Sequence, residues 1–192
     1  MATLKEIRQR IRSAKNIRQI TRAMKLVAAA RLKKAQDRVL ESRPYADKLH
    51  EFMLSISSAG SLPNHPLLEK REVKRIGLIM ITAERGLCGG YNTNLIRKGG
   101  EFLRNAEHPV DILAVGKKGG AFFGKRGYNV VFNYTLPTAG ARVSCADTVV
   151  KKAVEMFTSG EVDVIYVLYS KFYSPMRQVP TVVQLLPIEP PT

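Results

Sequence analysis

Residues 4–42 contain neither proline nor glycine, and this unbroken span constrains the chain more than any other feature. Apolar side chains recur through it at Leu4, Ile7, Ile11, Ala14, Ile17, Ile20, Met24, Val27, Leu32, Ala35 and Val39. Steps of three and four mark a helix with one apolar stripe. Their mean, about 3.5 residues, is the coiled-coil value rather than that of a plain surface helix. The run of threes from Ile11 to Ile20 reads as a stammer, a local overwinding. At ~1.5 Å per residue the helix spans roughly 60 Å. A helix of this length draws its stability from packing its stripe on another helix. Residues 59–192 hold no second long heptad stretch, so the partner is expected outside them. Pro44 is expected to kink or interrupt the helix, with Ser42 capping a second segment and Asp47 in its first turn. Tyr45, Leu49, Phe52, Met53 and Ile56 then carry an apolar face to about Ser58.

Charge singles out the same arm. The 192 residues carry 31 Lys and Arg against 16 Asp and Glu, a net charge of +15. Fourteen of the cations and only four of the acids lie in residues 1–50. An excess of this kind points to nucleic acid, an anionic membrane or an acidic protein surface. The arm has no aromatic residue before Tyr45, so stacking on bases is poorly served. A membrane-surface helix favours Phe or Trp on its apolar face. A solvated helix whose charge faces an acidic protein collar is the third reading. No signal peptide is read in "MATLKEIRQR", and no apolar run approaches the roughly 20 residues of a membrane span.

Beyond the arm, strands and helices alternate. "VKRIGLIMIT" (Val73–Thr82), "VDILAV", "NVVFNY" and "DVIYVLYS" (Asp163–Ser170) read as strands, and "MRQVPTVVQLL" (Met176–Leu186) as a fifth. Pro180 favours the sheet edge for that one. Between them helices are expected from Asn92, as cap, to about Ala106, from Lys117 to Lys125, and from about Ser144 to Thr158. The pattern predicts an α/β chain: a long N-terminal coiled-coil-type helix followed by a mainly parallel-sheet, Rossmann-like domain. The expected organisation is a helical shaft over 1–58, a linker loop over 59–72, the α/β domain over 73–186 and a Pro-rich tail over 187–192.

Two motifs invite a chemical reading. "GGAFFGKR" (Gly119–Arg126) follows G-x-x-x-x-G-K, but Arg126 stands where a phosphate-binding loop needs a Ser or Thr on Mg²⁺. Lys125 also leads into a strand rather than a helix, so the stretch reads as a short basic helix stopped by Gly127. "RGLCGG" (Arg85–Gly90) lies at the C-terminal end of the first strand, where open α/β sheets bind ligands. Its glycines, Gly86, Gly89 and Gly90, do not match G-x-G-x-x-G, and no acidic residue of ribose-binding character stands out about 20 residues later. A tight turn leaving the sheet is the preferred reading, with nucleotide regulation as an alternative. A catalytic role for Cys88 needs a histidine base, and His50, His65 and His108 lie on the arm and beside prolines. Cys88 and Cys145 are expected as free thiols, since neither forms a C-x-x-C pair. No catalytic residue, cofactor or metal is expected.

Three separated segments, "ATLKEIRQRIRSAKNIRQITRAMKLVAAARLKKAQ", "ERGLCGGYN" and "YSKFYSPMRQVPTVVQLLP", resemble the γ subunits of F-type ATP synthases. The resemblance runs in order along essentially the whole chain. It implies a central rotor shaft inside a ring of α and β subunits, turning with a c ring, making no bond itself and driving the catalytic β sites. It implies that Met24 and Lys25 face an acidic loop of β, "DELSEED", and that Arg31 and Arg85 supply basic contacts near it. It makes Gly86, Leu87, Cys88, Gly89 and Gly90 a structural signature turn. It also implies that the α/β domain packs on ε and stands on the c ring, without nucleic acid. The location implied is the cytoplasmic face of a bacterial inner membrane, or the matrix or stroma side in an organelle. The family's shaft pairs this helix with a C-terminal one, expected beyond Thr192. A nucleic-acid-binding protein with a basic arm is the alternative.

Overall fold

The computed structural model describes residues 3–58, 65–137 and 142–188. The expected loop over 59–64, the tail from 189, and the side chains of His50, Met53, Ile56 and Cys145 lie outside the described residues. The chain divides into two compact units, one ending at Leu62 and one spanning Pro63–Glu189.

The first unit is a single helix, α1, Leu4–Ser58, of 55 residues. Its start is fixed by a capping box: the Thr3 hydroxyl accepts from the Glu6 N–H at 3.4 Å, and Glu6 Oε2 accepts from the Thr3 N–H at 2.9 Å. At ~1.5 Å rise the helix is about 80 Å long. It does not end at Pro44, which lies inside it. Proline removes one N–H from the ladder, and the good helix formers on both sides keep the rest. Ser42 accordingly does not cap a second segment. Its hydroxyl donates to the Val39 carbonyl at 3.0 Å, the back-bonding of a mid-helix serine.

The second unit is a five-stranded sheet in the order β3-β2-β1-β4-β5. The strands are β1 (Ile76–Ile81), β2 (Val110–Val115), β3 (Val130–Tyr134), β4 (Val164–Ser174) and β5 (Arg177–Leu186). The first four run parallel and β5 returns antiparallel at the edge, pairing Pro180 with Ser170. Three helices connect them: α2 (Tyr91–Asn105), α3 (Lys117–Gly124) and α4 (Arg142–Thr158). One face packs Leu78, Met80, Ile112 and Leu168 under Leu95 of α2 and Phe123 of α3. The other packs Ile79, Leu113 and Ile165 under Val149, Ala153, Met156 and Phe157 of α4. Strands sandwiched this way read as continuous apolar runs, which is how β1 and β2 appear in the sequence.

The segment read as linker is partly built into this unit. Pro66–Leu68 form a 3-10 turn, capped by His65 Nδ1 accepting from the Leu67 N–H. Leu67 joins the α4-side core, and Arg71 lies over the Phe157 ring, 4.6 Å from its centroid, while donating to the Phe157 carbonyl. Buried Asp111 ties the strand starts together, accepting from Arg75 at 3.0 Å and from Asn129 at 2.7 Å.

Candidate partner-contact surfaces

On α1 the apolar stripe is uncovered. Leu4, Ile17, Ile20 and Met24 are each about 60% exposed or more. At ~25 cal/mol per Å² of apolar surface, one such side chain gains roughly 1.5–3 kcal/mol on full burial, so the stripe as a whole favours a partner helix. Met24 lies on this stripe, and the exposed Lys25 and Arg31 follow it. Among the described residues neither cation has an ion-pair partner, whereas Lys33 meets Asp37 at 3.0 Å within the helix.

In the α/β unit the C-terminal end of the sheet is closed by short contacts. Buried Thr82 follows β1; its hydroxyl donates toward the Val115 and Gly116 carbonyls and accepts from the Gly119 N–H at 2.9 Å. The Lys118 N–H is taken by the Ala83 carbonyl at 3.2 Å. The Lys118 and Gly119 N–H groups at the start of α3, of the kind that elsewhere cradle phosphate, are therefore engaged by the residues that follow β1. Gly116 has φ of +89°, and a Cβ there would lie 2.2 Å from the Thr82 carbonyl oxygen. "GGAFFGKR" accordingly forms no phosphate loop: Lys125 caps the C-terminal end of α3, and Arg126 lies 3.6 Å over the Phe122 ring.

The signature turn leaves β1 through Arg85–Gly90. Leu87 at φ 59° and Gly89 at φ 57° reverse the chain. Asn92 does not cap α2, whose N-cap is Gly90. It sits inside the helix and cross-braces the turn. Its Oδ1 accepts from the Ala83 N–H at 3.0 Å, and its Nδ2 donates to Cys88 Sγ at 3.1 Å and toward the Arg85 carbonyl at 3.4 Å. Cys88 is a free, exposed thiol. Burial, and secondarily the charge of the Cys88 thiolate, push the Tyr91 phenol above its ordinary range. Arg85 and Leu87 project into solvent, Leu87 fully. Beside the turn, the β4–β5 hairpin completes a cleft of about 240 Å³, bordered by Cys88, Tyr91, Asn94, Met176, Gln178 and Pro180. That volume is below the ~300–1,000 Å³ of small-molecule sites, which disfavours a nucleotide there.

The sequence residues thus fall into two groups, one per unit: Met24, Lys25 and Arg31 on α1, and Arg85 to Gly90 on the turn. Sequence reasoning missed Thr82, Asn92 as a brace and Met176. Only the Thr3–Glu6 cap had a local signal that it overlooked.

The chain matches the family described as ATP synthase over residues 3–192. It is 45% identical over 192 residues to the ATP synthase gamma chain of Brevibacillus brevis, covering 98% of this chain and 67% of that one. It is 41% identical over 191 residues to the gamma chain of Pelotomaculum thermopropionicum, covering 100% and 67%. The chain therefore spans about two thirds of the length of these relatives. In fold it is similar to a chain of the central stalk and c ring of Tetrahymena thermophila mitochondrial ATP synthase. That likeness has a TM-score of 0.65 at 24% identity, over 88% of this chain and 72% of that chain.

Proposed function

The chain belongs to the ATP synthase gamma-chain family, and from that premise we propose how its two units serve a rotary stalk. Its function is that of the central stalk, coupling rotation to conformational change in the catalytic part of the synthase. It works within that complex as a peripheral subunit, and among the described residues no helix is long and apolar enough to cross a membrane. Nucleic-acid binding, the alternative raised by the basic arm, is not supported by these likenesses.

The shaft is α1 packed through its stripe on a second helix. The surface that the second helix leaves uncovered turns inside the collar of α and β subunits, with Met24, Lys25 and Arg31 meeting an acidic loop of β and Arg85 adding a contact from the signature turn. The α/β unit packs on ε and stands on the c ring, at the cytoplasmic face of a bacterial inner membrane. The chain performs no chemistry of its own. Stiffness and weak contacts are what a rotor needs. A two-helix seam resists bending, and exposed ion pairs of about 0–1 kcal/mol each break at every step without stalling rotation.

The observation that carries this reading is the uncovered apolar stripe of α1 beside unpaired Lys25 and Arg31. Native mass spectrometry of the complex released gently from membranes at low salt tests it. The expected result is this chain together with α, β and ε; its recovery without α or β would overturn the assignment of partners. The contact itself is tested by Met24→Lys, which adds a cation beside the acidic loop. Over-strengthening by one exposed pair should lower the ratio of proton pumping to ATP hydrolysis about two- to fivefold while assembly stays intact. Unchanged coupling in an intact complex removes Met24 from the interface.

A further inference from the structure

At the end of the sheet away from the signature turn, a cleft of about 670 Å³ opens between the last turns of α2 and the starts of β1 and β4. That volume falls within the ~300–1,000 Å³ of small-molecule sites, which the cleft beside the signature turn does not reach. Val73, Ile76, Val164 and Val182 give it aliphatic walls. Phe102 and Tyr166 form an aromatic corner, edge to face with ring centroids 5.3 Å apart. Both rings pack on the α2-side core yet are only partly buried, and both border the cleft. The electron-rich face of such a ring attracts a cation within about 6 Å of its centroid.

Charge at this cleft runs against the rest of the chain. A net charge of +15 predisposes the protein surface to anions. Here the rim bears Glu101 and Glu107 against Lys98. Lys98 is already paired, its Nζ lying 3.3 Å from Glu101 Oε2. Glu107 has no ion pair or hydrogen bond among the described residues. Two carboxylates against one ammonium leave the rim an unspent negative charge beside two open aromatic rings. His108 also borders the cleft.

We propose that this cleft binds small organic cations that carry an apolar body. The ammonium group sits against the Phe102 and Tyr166 rings and the Glu107 carboxylate, and an aromatic or branched body covers the aliphatic walls. Neither rings nor carboxylate offer anything to an anion, so the site selects by charge as well as by shape. The inference concerns the α/β unit alone and does not rest on the stalk reading.

The probe is benzyltrimethylammonium, and the readout is saturation-transfer NMR on the full 192-residue chain at pH 8, where histidine carries little charge. This readout follows the ligand signal, so association of the chain through α1 leaves it usable. Saturable binding in the low-millimolar range is expected for a ligand of this size. Benzyl alcohol, which is neutral, and choline, which lacks the apolar body, should each bind at least about threefold more weakly, and benzenesulfonate should show no saturable binding. Glu107→Lys, at an exposed position outside the helix, should weaken the cation about five- to tenfold. Phe102→Leu keeps an apolar wall but removes one ring, and should abolish the advantage of the cation over benzyl alcohol; if that variant fails to fold, Glu107→Lys still decides. Equal binding of the cation and benzyl alcohol, a preference for benzenesulfonate, or an affinity indifferent to Glu107→Lys overturns the proposal.

Discussion

Gly116, between β2 and α3, and Leu87, between β1 and α2, respond to substitution in opposite directions. At Gly116 a methyl group meets the Thr82 carbonyl at 2.2 Å with φ at +89°, so neither space nor backbone tolerates it. Gly116→Ala is expected to destabilise the α/β unit by about 3 kcal/mol or more, read as a fall in its thermal midpoint. At Leu87 nothing packs on the side chain and φ is 59°. Leu87→Gly should therefore raise the midpoint, by about 1 kcal/mol of stability, since glycine adopts that conformation without penalty. An unchanged or lowered midpoint would show that the turn carries no strain. Tyr91 adds a pH dependence. Its phenol is held protonated in the fold by burial and then by the Cys88 thiolate, whereas in the unfolded chain it ionises in the ordinary range. Its contribution to stability is complete below about pH 10 and is lost as pH rises through the folded value. Absorbance titration should show a late-ionising tyrosine component, and Tyr91→Phe should remove it and flatten the alkaline loss.

At the scale of elements, α1 shows why a proline marks a boundary only when its neighbours allow one. The 55-residue helix passes through Pro44 because a missing hydrogen bond is a local defect in a long cooperative ladder. Pro44→Ala restores that bond, and about 3 kcal/mol of intrinsic helix preference, so far-ultraviolet circular dichroism of the chain should show greater and more heat-resistant helicity. No gain would mean that the helix had already adapted fully around the proline. The α2 start carries a related lesson. Asn92 has the side chain of a cap, yet Gly90 holds that place and Asn92 reaches back to Ala83, anchoring the turn to the end of β1 by satisfying a part-buried N–H.

For the whole molecule, the uncovered stripe of α1 has a direct physical consequence. An isolated helix of this kind gains little from propensity and depends on a seam. The isolated 192-residue chain is expected to fray along α1 or associate through Leu4, Ile11, Ile20 and their neighbours. Sedimentation should then show mass rising with concentration, or circular dichroism should show helix content below that of a full-length α1. A stable monomer with a fully formed arm would contradict this. The charge distribution acts at the same scale: the arm's net excess of cations makes any contact with an acidic collar weaken as salt rises above the Debye screening range.

What the sequence determined by itself was whatever is periodic or local. The helical stripe from Leu4 to Val39, the apolar runs of β1 and β2, the Gly127 stop after α3 and the edge position of β5 are each written in neighbouring residues. Tertiary structure decided the rest. Which strands adjoin, that Thr82 closes the start of α3, that Asn92 braces the turn, and that Cys88 and Met176 border one cleft all depend on residues brought together by the fold. Periodicity records which face of an element is buried, but it carries no record of which distant element covers that face, and so the rim of the sheet became visible only once the chain was folded.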